Sequence, residues 1–149
     1  MAKQRLFYKL IVSARISQVC AIRFFNENKK ADITFNQYEI LSALKNGNYY
    51  QRDLAKYLFK GTSNLSKDIK VLEDKGLLKR IMKTNNNRMV KTLHLTQKGK
   101  NLIDKNEDLI ENYIDDILKI YNIQEYKQFE QYLDMLKDKL TESVDMILE

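Results

Sequence analysis

The sequence predicts a mostly α-helical chain carrying one small β-hairpin, and three observations predict it. No proline occurs in the 149 residues, so nothing in the covalent chain forces a helix to break. The four glycines, Gly47, Gly61, Gly76 and Gly99, punctuate one stretch and leave both ends free to form long helices. Between Leu77 and Leu95 the helical period gives way to two short runs, Leu77 to Lys83 and Met89 to Leu95. The tetrad Thr84-Asn85-Asn86-Asn87 joins them and suits a turn.

The first element is a helix of about 22 residues, roughly 33 Å long, with Leu6, Phe7, Leu10, Ile11, Ala14, Val19, Ile22 and Phe24 on one broad stripe. At Thr34 a new helix begins. The Thr34 hydroxyl and the Gln37 amide form a capping box, each satisfying an orphan backbone N–H, and Ile40, Leu41 and Leu44 follow as the buried face before Asn46-Gly47 stops it. A short helix from Gln51 to about Leu58 turns Leu54, Ala55 and Leu58 inward. Gly61 turns the chain into a further helix, roughly Thr62 to Lys75, which buries Leu65, Ile69 and Leu72 and ends at Gly76. Two short helices followed by strand, turn and strand give the order of a winged helix-turn-helix.

The last third reads as two helices. Thr96 caps the first, whose face is Leu102/Ile103, Leu109/Ile110, Tyr113/Ile114, Ile117/Leu118 and Tyr121. Asn122 with Glu125 forms a second capping box, and Phe129, Tyr132/Leu133, Leu136, Leu140, Val144 and Ile147 line the final helix. One small lobe has too little surface to cover these stripes and the first helix together, so a second copy of the chain is expected to cover them. The predicted organisation is an N-terminal dimerisation helix in 1–30, a reading lobe in 33–100 and C-terminal dimerisation helices in 101–149.

Composition narrows the function classes. The chain is 44% hydrophobic and 31% charged, which fits a globular protein, and no stretch is apolar enough to span a membrane. The basic opening Met1 to Arg5 leads into a helix interrupted by Lys9, Arg15 and Arg23 and not into the solid apolar block of a signal peptide, so a cytoplasmic protein is expected. Cys20 is the sole cysteine and His94 the sole histidine, which excludes an internal disulfide and the usual His/Cys zinc clusters. No nucleophile–base pair, phosphate loop or metal spacing is found, so neither catalysis nor a cofactor is expected. The net charge of +6 conceals an asymmetry: residues 1–50 carry +5, 51–100 carry +9 and 101–149 carry −8. A segment with that excess of cations attracts a polyanion, and an acidic third repels one.

On the helix from Thr62, taking Leu65, Ile69 and Leu72 as inward directs Ser63, Lys67 and Lys70 outward, with Asn64 and Ser66 at the flanks. Small hydroxylic and cationic side chains near a helix N-terminus can reach base edges and phosphates from the major groove. The hairpin adds Lys79, Arg80, Lys83, Arg88 and Lys91 without one acidic residue, with Asn85, Asn86 and Asn87 at its tip. Such a wing suits a minor groove or flanking phosphates, with Arg88 as the inserting residue.

Four segments, in register, resemble a known family. These are Ile33 to Leu41, with Thr34 and Gln37; Asp53-Leu54-Ala55-Lys56-Tyr57-Leu58; Leu72 to Arg80, with Gly76-Leu77; and Leu95-Thr96-Gln97-Lys98-Gly99. In this order and spacing they resemble the MarR/SlyA-type winged-helix transcription regulators, over about residues 33–103. The resemblance implies a homodimer whose first and last helices interlock, binding double-stranded DNA at a pseudo-palindromic operator, with repression the expected sense of control. It places the recognition positions on Thr62, Ser63, Asn64, Ser66 and Lys67. The family's Asp-Arg-Arg wing signature falls on Asn87, Arg88 and Met89, so one arginine is kept while the acidic partner and the second arginine are lost. Gly61 stands where the family often has an Asp or Ser cap.

Tyr8, Phe35, Tyr38 and Tyr57, with Tyr49 and Tyr50 near them in sequence, are the candidates for a small-molecule effector pocket, against the plainer expectation that they pack as core. Cys20 reads as a buried small side chain and His94 as a partly exposed strand residue. The rival to a DNA-binding regulator is a winged-helix adaptor acting through protein–protein contacts of its acidic helices.

Overall fold

The computed structural model describes residues 1–85 and 88–148, the last four and the pair Asn85 and Arg88 by backbone alone. Nine elements follow in order: α1 (Ala2–Asn28), α2 (Phe35–Asn46), β1 (Tyr49–Tyr50), α3 (Gln51–Tyr57), α4 (Thr62–Asp74), β2 (Leu78–Asn85), β3 (Arg88–Leu95), α5 (Gln97–Leu118) and α6 (Ile123–Leu148). They form two compact units, Met1–Leu109 and Ile110–Glu149. The expected class, mostly α with a small β-hairpin wing in a winged helix-turn-helix order, is the fold observed.

The core of the first unit lies beneath α2, α3, α4 and the strand roots. Ile40, Leu41, Leu54, Leu65, Ile69 and Leu72 are fully buried there with Leu78, Leu93 and Ile103. The expected caps form. Thr34 Oγ1 accepts from the Gln37 N–H at 3.2 Å while Gln37 Oε1 accepts from the Thr34 N–H at 3.2 Å. Gly76, at φ +67°, ends α4, with the Leu77 N–H donating back to the Leu72 carbonyl. The turn out of α3 uses the same six-to-one bond, Lys60 N–H to the Ala55 carbonyl, but its left-handed position is filled by Phe59 at φ +50°, where glycine is the usual tenant.

Thr96 explains the Leu-Thr-x-x-Gly segment. Its hydroxyl accepts from the Gly99 N–H at 3.1 Å, capping α5, and lies 2.8 Å from the Gly76 carbonyl, to which it donates. Gly99 is obligatory at this junction because a Cβ there would stand 2.1 Å from the Leu77 carbonyl oxygen. Farther along α5, the fully buried Asn106 accepts the Lys30 N–H at 3.0 Å and so fastens the α1–α2 connection.

Several expectations are corrected. Helix α1 has 27 residues, longer than expected, and its buried member is Phe25, against which Phe35 and Tyr38 pack with ring centroids at 5.8 and 5.0 Å. Burial on α1 is concentrated towards its C-terminal end, where Phe25 meets α2. Of the expected stripe, Leu6, Phe7, Ala14 and Val19 are exposed in the protomer and Leu10, Ile11, Ile22 and Phe24 are half-buried. Val12 and Ile16, outside that stripe, are exposed as well. Cys20 is also exposed, not buried as expected. Strands β2 and β3 begin and end differently from the expected runs: Thr84 and Asn85 pair with Met89 and Arg88 and so belong to the ladder, in keeping with the strand preference of a β-branched threonine. Asn86 and Asn87 lie outside the described residues. Strand β1 was unforeseen because two residues carry no period. It pairs Tyr49 with Leu93 and Tyr50 with Thr92, giving an antiparallel sheet of order β1-β3-β2.

In the second unit, Asn122 and Glu125 form the expected capping box at the start of α6, Asn122 Oδ1 accepting from the Glu125 N–H at 3.0 Å and Glu125 Oε2 from the Asn122 N–H at 2.9 Å. Tyr121 stacks on Phe129 with centroids 5.5 Å apart. Ile117, Tyr132, Leu133 and Leu140 are exposed, while Leu136 and Val144 are half-buried. Ile147 has no described side chain.

Candidate nucleic-acid interface

Helix α4 is held on three sides by polar contacts that leave its outer face open. Ser66 Oγ accepts from Gln51 Nε2 of α3, Asp68 Oδ1 accepts from the buried Gln37 of α2 at 3.1 Å, and Glu73 pairs with Arg80 of β2 at 3.3 Å. Leu65, Ile69 and Leu72 seal its inner face at zero exposure. Thr62, Ser63, Asn64, Lys67 and Lys70 are all exposed. The structure thus brings five of the six recognition-helix candidates onto one open surface. Ser66 instead turns to α3 and fixes the helix-to-helix distance of the turn motif.

Gly61 caps α4 without a side-chain acceptor, so the leading backbone N–H groups of the helix remain directed outward beside those hydroxyls. Positive helix-end potential and free donors suit an anionic oxygen. Among the described residues, neither Lys67 nor Lys70 has a carboxylate partner, whereas Lys60 is taken by Glu39 at 2.7 Å and Lys75 by Asp32 at 3.0 Å. Lys60 and Lys75 near α4 are thus neutralised, whereas Lys67 and Lys70 on its exposed face are not.

The wing is a two-faced ribbon. Register places Lys79, Ile81 and Lys83 opposite His94, Thr92 and Val90 on one face. The other face carries Leu78, Arg80, Met82 and Thr84 opposite Leu95, Leu93, Lys91 and Met89. Lys83 and Lys91, grouped together by sequence, therefore sit on opposite faces, both exposed. Arg80, read as part of the cationic wing, is committed to Glu73 and ties the ribbon root to α4. Asn85 and Arg88 close the described ladder, and their side chains stand outside the described atoms.

His94 is half-buried as expected, its Nε2 2.8 Å from Thr92 Oγ1. Burial, then the positive charges of Lys83 and Lys79, push its imidazole below the ordinary histidine range. The neutral ring is thus favoured in the folded state, and its contribution to stability is full above the unfolded pKa of about 6.5 and is lost as pH falls through the lower folded value. Thermal melts should show a decline in stability below about pH 6.5, and His94→Gln should flatten it. An identical acid decline in the variant would remove His94 as its source.

The effector-pocket candidates do not form one cluster. Phe35 and Tyr38 surround Phe25, Tyr57 stacks on Tyr49 with centroids 5.5 Å apart, and Tyr8 is exposed on α1. Sequence reading missed the positioning partners Gln51, Glu73 and Gln37. It also missed the exposed Met82 and Met89, which alternation from Leu78 along the paired strands would have located.

The arrangement sets the open, lysine-bearing face of α4 beside a ribbon without a carboxylate. Residues 31–84 match the family model described as MarR family, a segment that runs from just before α2 to the outer part of β2. The transcriptional regulator SlyA shares the fold at TM-score 0.78 and 21% identity over 95% of this chain and 98% of its own. MepR of S. aureus, solved as a DNA complex, gives TM-score 0.72 and 21% identity over 87% and 94%. The PcaV transcriptional regulator of Streptomyces coelicolor, solved with its natural ligand, gives 0.69 and 21% over 84% and 89%. No curated protein sequence matches the chain. Among the described residues no helix is long and apolar enough to cross a membrane, and no group of metal-ligating side chains occurs.

Proposed function

We propose that the chain is a sequence-specific double-stranded DNA-binding transcription repressor of the cytoplasm, acting as a homodimer on a pseudo-palindromic operator. The observation that carries this reading is the open N-terminal half of α4, its unpaired lysines and free helix-end donors set beside a ribbon without a carboxylate. Thr62, Ser63, Asn64 and Lys67 enter the major groove, where Asn64 and Lys67 have the chemistry to read base edges and Lys70 reaches phosphate. Lys83, Lys91 and the tip Asn85 to Arg88 follow the neighbouring backbone and minor groove. The MepR–DNA complex, on the same fold, supports the DNA partner.

Dimerisation is supported by the apolar side chains each unit leaves exposed, among them Val12 and Ile16 in the first and Ile117 and Tyr132 in the second. Segments 1–30 and 101–149 serve as dimerisation arms, and 33–100 as the reading lobe. Two lobes then address half-sites about one helical turn apart, roughly 10 bp. A small-molecule effector belongs to the same reading, supported by the ligand complex of PcaV.

Selection of bound fragments from random duplexes, followed by gel shift, tests the proposal. A recurrent inverted repeat is expected, and weak binding without sequence preference would favour the adaptor instead. With the selected duplex, Lys83→Ala plus Lys91→Ala should flatten the dependence of log K on log salt by roughly 0.9 for each phosphate contact removed. An unchanged slope would take both lysines off the DNA.

A further inference from the structure

Beyond its lysines, the wing carries two large apolar side chains that stay substantially exposed among the described residues. Met82 is 50% exposed and Met89 is 69% exposed. The register sets both on the same face of the ribbon, Met82 across from Lys91 and Met89 across from Thr84. They stand on the diagonal of adjacent pairs, about 7–8 Å apart at the backbone and within reach of each other's long side chains. Exposed thioethers on a two-stranded ribbon are costly to keep in water and add nothing to a core.

The position of this face says what it meets. It is the face whose root, Leu78 and Leu93, is buried, and whose next member, Arg80, grips Glu73 of α4. Moving outward from the reading helix, that one surface therefore runs from core, to ion pair, to the two methionines. No acidic residue occurs in either strand, while Lys83 on the back and Lys91 on the front are exposed. A surface that is apolar at its centre and cationic around it complements a duplex wall, where apolar deoxyribose carbons lie between phosphate rails. A ribbon laid along a minor groove offers its two faces to the two walls.

We propose that Met82 and Met89 pack against the deoxyribose wall of the minor groove flanking each half-site, with Lys91 on the adjoining phosphate and Lys83 on the opposite rail. This inference rests on the DNA-binding reading above and adds residues that the cationic account of the wing omits. The contact is apolar and independent of counterions, so it strengthens binding without steepening the salt dependence. Flexible, polarizable side chains also suit a wall whose width varies with sequence.

Hydroxyl-radical footprinting, which reports deoxyribose accessibility strand by strand, tests the proposal on the duplex selected by the intact protein. The unmodified protein should protect sugars on the flanks of the site as well as at its centre. Met82→Gln plus Met89→Gln should lose the flank protection on one strand, bind about fivefold to tenfold more weakly, and keep the wild-type salt slope. Met82→Leu plus Met89→Leu should restore protection and affinity, since it restores the apolar surface. Lys83→Ala plus Lys91→Ala should give the converse, a shallower slope with flank sugars still covered. Wild-type footprint and affinity in the glutamine variant would overturn the methionine contact while leaving the DNA-binding reading intact. Failure of the unmodified protein to protect any duplex would overturn both.

Discussion

Gly99→Ala is expected to lower the stability of the first unit by about 3 kcal/mol, or roughly 10 °C in melting temperature. The added methyl would stand 2.1 Å from the Leu77 carbonyl oxygen and 2.8 Å from Leu95 Cδ1, and the nearer neighbour is backbone that cannot rotate away. That carbonyl accepts the Thr96 N–H at 3.1 Å, and the Thr96 hydroxyl both caps α5 and reaches Gly76, so moving it loosens the end of α4 and the start of β2 together. Calorimetry and chemical denaturation measure the loss. DNA binding of the kind proposed should weaken with it, because α4 and the ribbon are both rooted at this junction. An alanine variant melting within about 2 °C of the parent would mean that the close approach relaxes freely.

Val12→Glu combined with Ile16→Glu is expected to halve the particle mass in solution and to weaken operator binding by about a thousandfold. The two side chains lie one turn apart on α1 and are 50% and 57% exposed, so charge there leaves the protomer's own packing untouched. In a homodimer the same positions would be buried twice over, placing four carboxylates in an apolar seam. The loss in affinity follows from effective concentration: once one lobe is seated, a tethered second lobe binds as though present at high local concentration, an advantage of about 10²–10⁴. Sedimentation should shift from twice the 17.7 kDa chain mass to the single-chain value, with the helical circular dichroism signal unchanged. A double variant that sediments and binds like the parent would remove α1 from the dimer seam.

Much of the lobe was legible because its signals are local. The Thr34–Gln37 box, the helix end at Gly76 and the Thr96 cap each depend on residues within a few positions, and each formed as read. The outward face of α4 was equally plain, since three apolar positions define its inward direction. What escaped was decided at long range. Ser66 turns inward because Gln51, fifteen residues earlier, supplies a donor, and Arg80 leaves the cationic surface because Glu73 waits at the end of α4. Phe25, which the expected stripe omitted in favour of Phe24, is the fully buried member of α1 because Phe35 and Tyr38 of α2 pack against it. Phe59 shows the opposite limit, since a left-handed turn filled by a non-glycine residue leaves no mark in composition.

The Arg80–Glu73 pair has a mechanical corollary. It bolts the foot of the hairpin to the tail of the probe helix, while Thr96 and Gly99 clamp the corner between them. Helix α4 and the foot of β2 are therefore linked through one ion pair and one shared junction, so a displacement of either is passed to the other. Were the chain to bind DNA as proposed, a signal releasing it would have to shift the helix and the ribbon foot together.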